Sequence, residues 1–173
     1  MPFTITSNRY TVALRAPEIE LEFSTDDGGL RLLRRIGGPN LIGYGDPRPS
    51  IDVQLGVASE WLAERVFVRY LRHTAEERDG AVELVIVIGI GPLIVYDRYR
   101  ITGTLIARRV SAQNVGEDEV QLHAVRLSLP WARVGALEVC RFEAPGNNVH
   151  THVPLRVAAA TRRGILPRRF FAP

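Results

Sequence analysis

The chain has 173 residues, of which 46% are hydrophobic and 24% are charged, and its formal net charge is +3. This length is typical of a single domain, and these fractions exclude a disordered, collagen-like or coiled-coil chain. No apolar run reaches the ~20 residues of a membrane-spanning helix and residues 1–4 lack the basic start of a secretory signal, so we expect a cytoplasmic protein with no membrane partner.

Alternating apolar and polar residues predict strands in the first third of the chain. One half-buried strand is expected from the alternation at residues 3–5 and 10–14, and further strands are expected at 19–23, 30–36 and 51–55. The clearest is 19–23, where Ile19, Leu21 and Phe23 alternate with glutamates and leave the strand one acidic face. The sequence Asp-Asp-Gly-Gly at 26–29 follows it and predicts a hairpin turn, because glycine accepts a positive φ.

The rest of the chain continues this pattern with one interruption. Residues 59–65 hint at a short helix with Ser59 as its cap. Strands are then predicted at 65–76, 81–90, 93–101, 104–114, 120–129, 137–143 and 155–161. Residues 81–90 are apolar on both faces, which is typical of a strand covered on both sides. Residues 104–114 and 120–129 predict a hairpin joined by 115–119.

These segments predict an all-β antiparallel sandwich of about ten strands with little helix, because connections this short cannot join parallel strands. We assign residues 1–164 to the β-sandwich domain. Residues 165–173 include the apolar pair Phe170-Phe171 and are expected to be a tail or the start of a linker. Such a segment leads to a missing domain or docks on a partner subunit in a homo-oligomer.

All 22 basic residues are arginine. They are scattered along the chain, whereas a phosphate-binding surface needs them gathered on one face, so we expect no nucleic-acid partner. Arginine pairs readily with carboxylates, and salt-bridged sheet faces explain this composition more simply.

Few residues have the spacing of a metal or catalytic site. His150 and His152 are two apart, so on an extended segment both imidazoles point to one side, with Glu143 or Asp97 as a third metal ligand. Loop histidines bonded to the backbone are the favoured alternative, so we expect no metal and no cofactor. Cys140 lies in a predicted strand, cannot form an internal disulfide and is expected to be a buried thiol in a reducing compartment.

The tryptophans indicate a carbohydrate site. Trp61 and Trp131 lie where predicted strands begin or end, and pyranose rings stack their C–H faces on indoles. The loop at 142–152 supplies side chains that hold sugar hydroxyls. The candidate carbohydrate-binding residues are Trp61, Trp131, Glu143, Asn147, His150 and His152. The alternative is that both tryptophans fill the core. No carboxylate pair stands out, so no catalytic residue is assigned.

Several segments carry a family resemblance. Residues 99–114 and 116–122 form a recurrent hairpin pattern, Asp-Asp-Gly-Gly-Leu at 26–30 and Gly-Pro-Asn-Leu-Ile at 38–42 resemble a domain opening, and Glu-Ala-Pro-Gly-Asn at 143–147 resembles a loop. Together they resemble the galactose-mutarotase-like supersandwich domains, including the N-terminal β-domains of multidomain glycoside hydrolases. The mutarotases' catalytic histidine and glutamate have no matching position here, so the resemblance implies a non-catalytic module.

Three functions follow as hypotheses. The first is an accessory, carbohydrate-associated β-sandwich module of a glycoside-hydrolase-like protein, packed on a catalytic domain. The second is a stand-alone sugar epimerase, with His73, His123 or His150 and Glu143 as acid and base. The third is a structural or assembly sandwich without a small-molecule site.

Overall fold

The computed structural model describes residues 3–42, 51–56, 61–64 and 66–127. The strands predicted at 137–143 and 155–161, the domain boundary at 164 and the tail at 165–173 lie outside these residues. Ten strands lie within the described ranges. They are β1 (Thr4–Ser7), β2 (Thr11–Arg15), β3 (Ile19–Ser24), β4 (Leu30–Arg35), β5 (Ile51–Leu55), β6 (Val68–Arg78), β7 (Ala81–Ile90), β8 (Leu93–Thr102), β9 (Leu105–Asn114) and β10 (Leu122–Leu127).

The strands form three antiparallel sheets. Two have four strands each, in the orders β1-β2-β3-β4 and β6-β7-β8-β9, so every strand pairs with its neighbour in the chain. The third sheet pairs β5 with β10. The predicted short helix is a single 3₁₀ turn over Leu62–Glu64. Among the described residues, no helix is long and apolar enough to cross a membrane.

The two four-stranded sheets pack through one shared core. From β3, the apolar side chains of Ile19, Leu21 and Phe23 are buried, as the alternation predicted. The ring of Phe23 meets that of Tyr99 on β8 edge to face, with 4.9 Å between the ring centroids. The all-β antiparallel sandwich predicted from the sequence is therefore confirmed.

The hairpin turn between β3 and β4 also packs against the second sheet. Gly28 has a φ of +70°, a conformation that favours glycine, and its Cα lies against the side chains of Ile86 and Ile88 on β7. Two residues before Gly28, the backbone carbonyl of Asp26 accepts a 2.9 Å hydrogen bond from the amide of Tyr70 on β6. The turn predicted from Asp-Asp-Gly-Gly is thus a contact between the two layers.

Strand β7 is buried more completely on one face than on the other. Its inner face is closed to solvent, and consists of Val82, Leu84, Ile86, Ile88 and Ile90. On its outer face Val87 is buried, whereas Glu83 and Val85 are half-buried. The sequence predicted full cover on both faces, but the outer face is only partly covered.

The predicted hairpin of residues 104–114 with 120–129 is wrong. Strand β10 pairs with β5 instead, in a register that places Arg126 opposite Asp52. The intervening residues carry the chain away from β9, and the amide of Gly56 donates a 2.8 Å hydrogen bond to the carbonyl of Gln121. The residues between β9 and β10 are numerous enough either to close a hairpin with β9 or to lead to another sheet. Pairing with β5 gives Arg126 its buried partner, Asp52.

Candidate functional site

A buried carboxylate on β5 organises the surroundings of Trp61. The side chain of Asp52 is inaccessible to solvent, and its Oδ2 atom accepts a 2.7 Å hydrogen bond from Nη2 of Arg126 on β10. Its Oδ1 atom accepts hydrogen bonds from the backbone amides of Val53 and Ala63, each at 2.9 Å. Because Ala63 belongs to the 3₁₀ turn, Asp52 fixes that turn against β5.

The guanidinium of Arg126 lies over the indole of Trp61. Its Cζ atom is 4.3 Å from the ring centroid, which is within the range of a cation–π interaction. The side chain of Arg126 is 23% exposed and that of Trp61 is half-buried, so the pair reaches the surface. Buried Nε of Arg126 has no hydrogen-bond partner among the described residues, and stacking on the indole compensates for part of that cost.

We call these three side chains, Asp52, Trp61 and Arg126, the tryptophan platform. The carboxylate binds the guanidinium and the guanidinium stacks on the ring, so Arg126 cannot turn away without leaving the buried charge of Asp52 unpaired. An indole beside a fixed guanidinium offers an apolar ring edge together with charged hydrogen-bond donors. These are the two kinds of group that carbohydrate sites combine.

Of the six candidate site residues, Trp61 alone lies within the described ranges. The others lie outside them, namely Trp131, Glu143, Asn147, His150 and His152. The two partners of Trp61, Asp52 and Arg126, were not predicted from the sequence. The signal for Asp52 was present, because a carboxylate between Ile51 and Val53 interrupts an apolar strand. Nothing in the sequence linked that carboxylate to Arg126.

A second buried carboxylate lies on the inner face of β8. Asp97 is 1% exposed and binds Arg108 of β9 through two hydrogen bonds, from Nε to Oδ1 at 2.8 Å and from Nη2 to Oδ2 at 2.9 Å. The hydroxyl of Tyr99 donates to Oδ2 at 2.7 Å. Burial, and then the negative charge of Asp97, raise the pKa of Tyr99 well above its ordinary value.

This second cluster is structural. Burial by itself would lower the pKa of Arg108, but its hydrogen bond to Asp97 raises the pKa overall, so the guanidinium stays charged. Both oxygens of Asp97 are occupied, and the ring of Tyr99 is packed against Phe23. Asp97 is therefore committed to Arg108 and Tyr99, which leaves it a poor third ligand for a metal at His150 and His152.

The described histidines are not arranged as acid–base catalysts. Nδ1 of His73 lies 2.6 Å from the hydroxyl of Tyr70, whose pKa is raised by burial. His123 is exposed on β10. Neither histidine is hydrogen-bonded or ion-paired to a carboxylate of the described part of the chain, and that part holds no cluster of three metal-ligating side chains.

Among the described residues, a small cavity lies between the two large sheets, below the β8–β9 turn. Its volume is about 10 Å³, which is close to the space that one water molecule needs. It is lined by Ala16, Pro17, Glu18, Val82, Ile101 and Gly103. A sugar ring cannot enter it.

No protein-family model matches the sequence, and no curated protein matches it.

Proposed function

We propose that this chain is a non-catalytic, carbohydrate-associated β-sandwich module, and that the tryptophan platform is its sugar contact. The observation that carries the proposal is the fixed position of Arg126 over the partly exposed ring of Trp61. A ring and a donor that are held in place before binding lose little conformational entropy when a ligand arrives. Surface stacking of this kind suits weak binding of a sugar chain by an accessory module.

Two further observations support a non-catalytic role. Asp97 is fully engaged by Arg108 and Tyr99, so this buried carboxylate has no free oxygen for acid–base chemistry. The described histidines lack a carboxylate partner, so a sugar epimerase is the less favoured alternative. An accessory module of a glycoside-hydrolase-like protein would work beside a catalytic domain, which is the partner that the proposal implies.

The proposal is tested by sugar titration of a chain in which Trp61 is the sole tryptophan. Replacing Trp131→Phe achieves this, since the chain has two tryptophans. Neutral mono- and oligosaccharides should shift the fluorescence of Trp61 in a saturable way, with millimolar Kd. Binding measured by calorimetry in the natural sequence should be lost in Trp61→Ala.

The matched control is Tyr10→Ala. Tyr10 is an exposed aromatic residue with Arg9 above its ring at 5.8 Å, so it repeats the pairing of ring and guanidinium without a buried carboxylate to fix it. Sugar binding should survive in this variant. Absence of binding in the natural sequence, or equal loss in both variants, would refute the platform as the sugar contact.

A structural or assembly sandwich is the second candidate function. Strand β10 exposes three apolar side chains, each about half accessible, namely Leu122, Val125 and Leu127. Exposed apolar clusters mark protein contacts. Light scattering of Val125→Glu compared with the natural sequence tests this candidate, which requires a fall in oligomer mass.

A further inference from the structure

The outer face of the sheet β6-β7-β8-β9 carries an excess of arginine. Pairing across the sheet puts six arginines and two glutamates on this face. They are Arg69, Arg72, Arg78, Arg98, Arg100, Arg109, Glu76 and Glu83. We call this surface the arginine face. Arginines that looked scattered in the sequence are thus gathered by the sheet, because residues of four strands share one side of it.

Two of these arginines stand directly opposite each other. Arg98 on β8 and Arg109 on β9 are cross-strand partners, and like charges in that position destabilise a sheet. Arg100, two residues further along β8, is instead neutralised by an ion pair with Glu83 on β7 at 2.8 Å. Among the described residues, no carboxylate forms an ion pair with Arg98 or Arg109.

Arg98 is nevertheless held in place by neutral groups. Its Nη1 atom donates a 2.6 Å hydrogen bond to Oγ of Ser111, and its Cζ atom lies 5.1 Å from the centroid of the Tyr96 ring. The hydroxyl of Tyr96 donates in turn to Gln113 at 3.3 Å. A guanidinium that is fixed without a counterion, next to an aromatic ring, is prepared to receive an anion from outside the chain.

We propose that the arginine face binds an acidic oligosaccharide, with uronate carboxylates on Arg98 and Arg109 and a sugar ring near Tyr96. Arginine binds carboxylates through two parallel hydrogen bonds, and adjacent strands are ~4.8 Å apart. The guanidinium groups of Arg98 and Arg109 can therefore bind one uronate carboxylate together, or one carboxylate each. The positive charge is complementary to a polyanion. The choice of a glycan among polyanions rests on the proposed carbohydrate function.

The test measures binding of the full chain to polygalacturonate, with a neutral galactan as the comparison polymer. We expect binding of polygalacturonate that weakens as salt is added. The double variant Arg98→Gln/Arg109→Gln should raise the Kd at least tenfold. The matched control Arg15→Gln/Arg35→Gln removes the same charge from exposed positions on the other large sheet and should change the Kd less than twofold.

Each other outcome overturns the inference. An equal loss in both double variants would mean attraction to net charge and not to this face. Tighter binding of single-stranded DNA than of polygalacturonate would reject a glycan as the partner. Polygalacturonate that fails to bind would also overturn it, and the neutral-sugar titration of Trp61 then shows independently whether the proposed function survives.

Discussion

Asp52 and Arg126 are 74 residues apart in the chain, yet they form a 2.7 Å ion pair whose carboxylate is closed to solvent. The pair joins β5 to β10 and fixes Arg126 over Trp61. The same two side chains therefore hold the third sheet together and build the candidate sugar contact. This dual role makes the pair the most informative place to perturb the protein.

Removing Asp52 should be costly. The variant Asp52→Ala leaves a largely buried guanidinium unpaired and two backbone amides without their acceptor, so we expect a loss of about 3–5 kcal/mol in the free energy of unfolding. Urea denaturation measures it. The control Glu83→Ala breaks the more exposed pair with Arg100 and should cost less than about 1 kcal/mol. Similar losses for both variants would contradict the special role of Asp52.

The Asp97 cluster should tolerate complete replacement better than partial removal. Asp97→Ala removes the buried carboxylate that binds Arg108 and accepts a hydrogen bond from the Tyr99 hydroxyl, and it should cost about 3–5 kcal/mol. The triple variant Asp97→Leu/Tyr99→Phe/Arg108→Met removes every polar group of the cluster and should recover most of that loss. Urea denaturation again gives the comparison, and a triple variant less stable than Asp97→Ala would refute the expectation.

Tyr99 should make stability fall at high pH. Its pKa in the folded protein is raised above the ordinary value of 10.0, whereas in the unfolded chain it titrates near that value. Its contribution is therefore fully present below pH 10 and is lost as the pH rises above 10, by up to about 1.4 kcal/mol per pH unit. Urea unfolding between pH 8 and 11 should show a shallower fall in Tyr99→Phe.

The control for this pH series is Tyr10→Phe, which changes an exposed tyrosine. Its stability should follow that of the natural sequence across the whole range. If Tyr99→Phe and Tyr10→Phe give the same pH dependence, ionisation of Tyr99 is not the cause of the fall.

Gly28 should be intolerant of a side chain. Its φ is +70°, and an added Cβ would overlap Cγ2 of Ile88 on the opposite sheet. We expect Gly28→Ala to destabilise by about 2–4 kcal/mol, from strain and core displacement together. Gly80 has a similar φ of +72° with no atom near the added Cβ, so Gly80→Ala isolates the strain and should cost about 1 kcal/mol. Equal midpoints in thermal unfolding would contradict the close packing of the turn.

The strands were predictable because each has a pattern of alternating side chains within its own few residues. The alternation around Ile19 and Leu21 gave β3, and the predicted span 81–90 matches β7 residue for residue. The turn predicted from Asp-Asp-Gly-Gly at 26–29 also formed, and its Gly28 adopts a positive φ. Side-chain alternation and turn residues involve positions that are close in the chain, so they can be recognised directly in the sequence.

The candidate site was predicted only in part. Trp61 was chosen for its aromatic ring, but its partners come from β5 and β10, and the short spacing of β9 and β10 favoured a hairpin that does not form. The arginine face was missed for a related reason. Arg98 and Arg109 are far enough apart in the chain to look scattered, and only the register of β8 with β9 makes them neighbours.

The sequence by itself determined an all-β chain with antiparallel neighbours, because side-chain alternation and turn residues act over a few positions. The tertiary structure decided which distant strand β10 would join, and which charges would be buried or gathered on one face. Those choices depend on the free energy of placing Asp52, Asp97 and their arginines out of water. Burying a charge is costly unless an oppositely charged partner is buried with it, and here each partner comes from another strand.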